Sequence, residues 1–274
     1  MKELLKKVEA AAREASKFMM AKDIEVKTKG DITNLCTSAD LAVQEYLYKE
    51  LLRILPGSGF MGEEEGLVDT AHEYVWIVDP IDGTANFSRG IPECTISIGL
   101  KRNVPGAAAE REAHPEIVLG VVYNPFHDHM FTGLKGGGAF LNGKPIHTSD
   151  RPFENGILLT AMSLYRKEYA GVCNDVIMDA YYKCNDVRRF GACAIELCYI
   201  AAGLCELFFE YRIMPWDYAA SYVILTEAGG VLTARDGEPL RFDVPTLLVG
   251  ANNAANHARL CEIVSRHTKP NLYD

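Results

Sequence analysis

The 274-residue sequence predicts a mixed α+β / α/β fold, a layered αβαβα sandwich in which two sheets alternate with three layers of helices. Three observations carry that expectation. Two helical patterns precede a run of strands in the first half of the chain. Strand and helix alternate through the second half. No repeat or low-complexity linker separates the halves. One domain is therefore expected over 1–274, with helices and an antiparallel sheet in 1–150 and an α/β half in 151–274.

Residues 1–22 open the chain with Leu4, Leu5, Val8, Ala11, Ala12, Ala15, Phe18 and Met19 on one helical face, interleaved with charges. That pattern reads as a surface helix and not as a signal peptide. The polar, Gly-broken stretch 23–38 predicts a hairpin or loop. A second helix follows over 40–55 and ends at Pro56-Gly57. Strands are expected at 74–78, 95–101, 117–123 and 129–134, with a charged insert at 103–116 forming an exposed hairpin tip. The second half predicts strands at 158–162, 187–190, 205–210, 231–234 and 246–251. Helices are expected at 167–182, 192–202, 217–228 and 257–267. His127-Asp128-His129 follows Tyr123-Asn124-Pro125, so it reads as a hairpin turn and not as a metal pair.

A net charge of −9 argues against nucleic acid or an anionic membrane as partner. It also suits an anionic substrate poorly, unless bound cations invert the local sign. No apolar run reaches the roughly 20 residues needed to span a bilayer. The eight cysteines form no CxxC and several sit in apolar runs. They read as reduced thiols of a cytoplasmic protein and offer no zinc site.

The run WIVDPIDGTANF (76–87) is the most informative segment. An apolar strand enters Asp79 and Asp82, and paired carboxylates at a buried strand end repel and are costly to desolvate. A divalent cation with oxygen ligands is the usual neutraliser. Gly83-Thr84 then opens a short helix, whose first backbone N–H groups suit an anion. Metal ligands beside a phosphate cradle point to metal-assisted phosphate chemistry. Further acids stand at Glu63, Glu64 and Glu65, at Asp217 in Pro215-Trp216-Asp217, and at Asp40. Asp79 is the candidate bridge between two ions, Glu63 serving one and Asp82 with Asp217 the other. Each segment alone has an ordinary reading: a solvated acidic loop at 63–65, helix-start acids at Asp40 and Asp217, a helix cap at Thr84. Their order and company favour the chemical one.

These residues, with PWDYAAS (215–221) and Thr226-Glu227-Ala228-Gly229-Gly230, resemble the inositol monophosphatase family of magnesium-dependent, lithium-sensitive phosphatases. The resemblance spans nearly the whole chain. It implies the layered sandwich shared with fructose-1,6-bisphosphatases, usually as a homodimer. It implies two or three Mg²⁺ ions held by Glu63, Asp79, the carbonyl of Ile81, Asp82 and Asp217. It makes Glu63, Thr84 and Asp40 the catalytic residues, the last two aiming the attacking water. It gives Asp82, the amides of Gly83 and Thr84, the Gly191-Ala192-Cys193 backbone and Glu210 to the substrate. The implied activity is hydrolysis of a small polyol or sugar phosphate, foremost inositol monophosphate, by metal-activated water. Fructose 1,6-bisphosphate, histidinol phosphate and 3′-phosphoadenosine nucleotides are the alternative esters, and a regulatory protein-binding role on the same fold is the alternative of another class. Arg166, Arg188, Arg189 and Arg212 are either surface charge or a site for a second phosphate.

Overall fold

The computed structural model describes residues 1–21, 25–28, 35–64, 67–103, 116–163 and 166–269. In chain order the elements are α1 (Lys2–Met19), β1 (Val26–Thr28), β2 (Leu35–Thr37), α2 (Ser38–Ile54), β3 (Gly59–Gly62), β4 (Val68–Asp69), β5 (Tyr74–Asp82), α3 (Thr84–Phe87), β6 (Thr95–Arg102), β7 (Glu116–Asn124), β8 (His129–Leu134), β9 (Gly138–Leu141) and β10 (Lys144–Pro145). The second half holds β11 (Ile157–Thr160), α4 (Ala170–Tyr181), β12 (Asp186–Arg188), α5 (Cys193–Ala201), β13 (Leu207–Ile213), α6 (Pro215–Glu227), β14 (Val231–Thr233), β15 (Thr246–Ala251) and α7 (Ala254–His267).

An eight-stranded sheet runs β10-β9-β8-β7-β6-β5-β3-β4 and a five-stranded sheet β12-β11-β13-β15-β14. Side chains alternate across each strand, so each sheet feeds two cores. Trp76 and Val78 of β5 face α1 and α2, joining Val8, Ala12, Val43 and Leu47. Val75 and Ile77 face the other way, toward α5, α6 and the strand residues Phe208 and Leu248. Leu207, Phe209 and Val249 point outward to α4 and α7. Three cores between two sheets and three helix layers make the αβαβα sandwich.

Helix α6 comes unusually close to the first sheet. Gly99, Gly120 and Gly133 lie abreast on β6, β7 and β8. A Cβ on Gly120 would sit 2.2 Å from the Ala220 carbonyl oxygen, and one on Gly133 2.8 Å from Ile224 Cα. These glycines make the trough in which α6 lies, and α6 carries Asp217 in its first turn. At its far end, Glu227 accepts from the amides of Gly136 (2.7 Å) and Gly138 (2.8 Å), tying the helix to the β8–β9 turn.

The structure differs from the sequence expectations in places. The first sheet is not wholly antiparallel, since β3 runs parallel to β5. Gly-Phe-Met-Gly is too short and Gly-bounded to announce a strand. The second sheet is mixed: β11 is parallel to β12 and β13, whereas β15 is antiparallel to β13 and β14. Residues 125–128 form the expected turn, with Asp128 paired to Arg13. Within the stretch 23–38, expected as a hairpin or loop, β1 and β2 pair antiparallel, and residues 29–34 between them lie outside the described residues. Most of the 103–116 insert, and Glu65, lie outside the described residues.

Candidate metal centre and active site

The site begins with an irregularity in β5. Asp79 pairs with Ser97 and Asp82 with Thr95, three residues on one strand against two on the other. In a regular strand, residues three apart point to opposite faces. The extra residue at this bulge, where Pro80 has no N–H to lose, puts both aspartates on the α5–α6 side. Asp79 Oδ1 accepts from the Ile81 amide at 2.9 Å, closing a tight turn within the bulge.

Two other elements deliver acids to Asp79. Glu63 follows β3, its own amide bonded to the Val78 carbonyl at 3.2 Å. Asp217 enters from the start of α6, where Pro215 fixes the first turn and the Asp217 carboxylate accepts from the Met214 amide at 3.0 Å. One carboxylate oxygen from each of Glu63, Asp79 and Asp217 lies within 4.8 Å of the others. Burial raises the Asp79 pKa well above its usual range, and the charges of Glu63, Asp82 and Asp217 raise it further. Burial likewise raises Asp217, with Glu63 and Asp82 adding to it. Such a cluster must hold protons or a cation. Oxygen donors alone, converging at this spacing, suit a hard divalent ion such as Mg²⁺.

Beside the cluster stands the pair expected from the sequence. The Thr84 hydroxyl is 3.1 Å from the Ile81 carbonyl and 3.3 Å from Asp40 Oδ1. Asp40 is fully buried at the start of α2, where it closes a capping box with Thr37. Burial raises its pKa, against the lowering effect of its hydrogen bonds with Thr37. Gly83 adopts φ 91° ahead of α3, and a Cβ there would meet the Glu93 carbonyl at 2.9 Å. Only glycine fits that turn.

Asp82 lies next to the three-acid cluster but turns its oxygens to the N-terminus of α5. It accepts from the amides of Cys193 (3.2 Å) and Ala194 (2.7 Å). Burial pushes its pKa up to about 7, opposed by those amides. This contact brings Asp82, Gly191 and Cys193 into one neighbourhood. Two residues that hold the Gly191 segment escaped the sequence reading. Glu196 accepts from the amides of Phe190 (2.6 Å) and Gly191 (2.9 Å), and Asn86 Nδ2 donates to the Phe190 carbonyl at 2.7 Å. The available signal for Glu196 was a lone acid inside the apolar run of α5. Burial pushes that carboxyl up to about 8.

A cavity of about 70 Å³ opens beside Asp217, lined by Ser163, Arg166, Glu210, Arg212, Ile213 and Met214. Burial raises the Glu210 pKa well above its usual range, and Asp217 adds to this. Glu210 thus shares this cavity with Asp217 and two arginines. Arg188 and Arg189 are exposed on the approach to Gly191.

Known proteins share this sequence and architecture. A family model described as the inositol monophosphatase family matches residues 1–269. Inositol monophosphatase 3 of Solanum lycopersicum is 36% identical over 244 residues, covering 86% of this chain and 85% of that protein. The fructose-1,6-bisphosphatase/inositol-1-monophosphatase of Aquifex aeolicus is 32% identical over 252 residues, covering 91% and 89%. The solved structure of inositol monophosphatase from Anabaena superposes with a TM-score of 0.81 at 28% identity, covering 99% of each chain.

Proposed function

The chain belongs to the inositol monophosphatase family, and on that premise we propose an Mg²⁺-dependent phosphomonoesterase of small polyol or sugar phosphates, with inositol monophosphate its main substrate. It is a phosphatase that hydrolyses phosphomonoesters. The observation that carries the finer reading is the convergence of Glu63, Asp79 and Asp217 within 4.8 Å, next to Thr84 and Asp40.

In this reading Glu63, Asp79, the Ile81 carbonyl, Asp82 and Asp217 hold two or three Mg²⁺ ions. When bound, the metal supplies a water of lowered pKa and neutralises charge on the leaving ester oxygen. Thr84 accepts a hydrogen bond from the attacking water and aims it at phosphorus, while Asp40, accepting in turn from the Thr84 hydroxyl, orients that hydroxyl. The amides of Gly83 and Thr84 hold the phosphoryl oxygens. Water adds to phosphorus as the ester P–O bond breaks, releasing the alcohol and inorganic phosphate. Glu210, with Asp82 and the Gly191–Cys193 backbone, receives the polyol hydroxyls. The family's habit suggests a lithium-sensitive homodimer. Eight free cysteines favour a cytoplasmic setting, and no helix among the described residues is long and apolar enough to cross a membrane.

A second reading has its own support. Arg166 and Arg212 line the same cavity as Glu210, which suits an ester with a second phosphate such as fructose 1,6-bisphosphate. The relative from Aquifex aeolicus carries both names. Phosphate release from inositol 1-phosphate, fructose 1,6-bisphosphate, histidinol phosphate and 3′-phosphoadenosine 5′-phosphate, with Mg²⁺ and with chelator, tests both readings. Mg²⁺-dependent release greatest on inositol 1-phosphate supports the first, and a preference for the bisphosphate supports the second. Metal-independent release, or none on any ester, would sink the proposal.

A further inference from the structure

The acid that must approach Asp79 and Asp217 from the end of β3 is the one with the least regular structure behind it. Glu63 lies just past the strand, and like charge drives it outward from the cluster. Its amide is bonded to Val78, which fixes the chain on one side. On the other side stands a side chain that neither the motifs nor the proposed chemistry uses. Gln44 Nε2 donates to the Glu64 carbonyl at 3.0 Å, and Gln44 Oε1 accepts from the Glu64 amide at 2.9 Å. Gln44 is 4% exposed. It is one helical turn beyond Asp40 on α2, so both project from the same face.

We propose that Gln44 is a positioning residue for the metal centre, clamping the backbone of Glu64 so that the adjacent Glu63 carboxylate is held toward Asp79 and Asp217. This inference rests on the metal-dependent reading above and adds a residue to it. Three features support a fitted clamp. The carboxamide offers one donor and one acceptor to one donor and one acceptor, a match that neither a carboxylate nor an apolar side chain provides. The pair is buried, where a lost partner leaves a backbone group unsatisfied. Gly62 is shaped to it: a Cβ there would lie 2.3 Å from Gln44 Oε1. One helix thus holds two parts of the site in register, Thr84 through Asp40 and Glu63 through Gln44.

The test compares Gln44→Met, which keeps bulk and removes both hydrogen bonds, with Gln44→Glu, which keeps only the acceptor. Mg²⁺ affinity is measured by calorimetry without substrate, and KM and kcat at saturating Mg²⁺. Supporting hydrogen bonds behind a metal ligand are worth about 10-fold or more in affinity. Gln44→Met is expected to weaken Mg²⁺ binding by about that factor, and Gln44→Glu by less. Substrate KM at saturating metal should stay within about two-fold of wild type, a separation that a general loss of packing would not give. If Gln44→Met does not fold, Gln44→Glu alone decides. Unchanged Mg²⁺ affinity in every folded variant, or a KM that rises in step with it, overturns the assignment. Absence of Mg²⁺ binding by the wild type would instead remove the reading on which it rests.

Discussion

Replacing Asp79 by Asn should make the metal-free protein more stable while abolishing its response to metal. Asn keeps the bond from the Ile81 amide to Oδ1 and can donate to Glu63 or Asp217 in place of repelling them. Two carboxylates at the 4.8 Å outer limit of this cluster repel by about 3 kcal/mol at an effective dielectric near 20. Protonation limits that cost. Near pH 8, keeping a proton on a carboxyl whose unfolded pKa is about 3.9 costs about 5–6 kcal/mol. The net gain for Asp79→Asn is therefore about 2–4 kcal/mol near pH 8, or about 4–7 °C in melting temperature for a chain of this size. Near pH 5 holding a proton on that carboxyl costs only about 1–2 kcal/mol, and the gain shrinks to about 1 kcal/mol. The assay is thermal and urea unfolding in chelator at both pH values, repeated with Mg²⁺. Metal at a hundred times its dissociation constant should stabilise the wild type by about 2.7 kcal/mol and the variant hardly at all. A variant that melts at or below wild type in chelator near pH 8 would refute the reasoning.

Three further outcomes are expected. Asp82, raised to about 7 by burial, takes up a proton in the native state that the unfolded chain has lost. Its stabilising contribution is full below the unfolded value, about 3.9, and is lost as pH rises through about 7. Because metal must displace such protons, apparent Mg²⁺ affinity should rise with pH from about 5.5 through about 8. Calorimetry across that range checks it, and a flat profile contradicts it. Thr84→Ala should lower kcat by about 10²-fold or more with Mg²⁺ affinity within a few-fold of wild type. Parallel loss of both would make Thr84 structural. Glu210→Gln should change relative kcat/KM among the esters more than it changes Mg²⁺ affinity, and equal changes would remove Glu210 from the substrate pocket.

Much of the architecture was legible because period-2 and period-3.6 patterns are strong where one face is buried, as in β5, β6 and α1. What was not legible depends on register. Nothing in Asp-Pro-Ile-Asp states that a bulge brings residues 79 and 82 to one face, since that follows from pairing with Ser97 and Thr95. The Asp40–Thr84 contact spans 44 residues and came from the family resemblance, not from local pattern. Asp82 was expected as a metal ligand and a substrate contact. Its bonds to the α5 amides add a helix-capping role that sequence alone does not express. Gln44, Asn86 and Glu196 act through backbone groups, which leave no trace in side-chain motifs. The short strands at Gly59–Gly62 and Gly138–Leu141 are carried by neighbouring strands and not by their own propensity.

The central claim is that Glu63, Asp79 and Asp217 form the metal site of a phosphomonoesterase. Anomalous diffraction from crystals soaked in Mn²⁺, a hard ion with the same taste for oxygen ligands, tests it most directly. The account predicts a strong peak within coordinating distance of all three carboxylates, lost in Asp79→Asn. Peaks only elsewhere, or a peak here that survives that substitution unchanged, would contradict it.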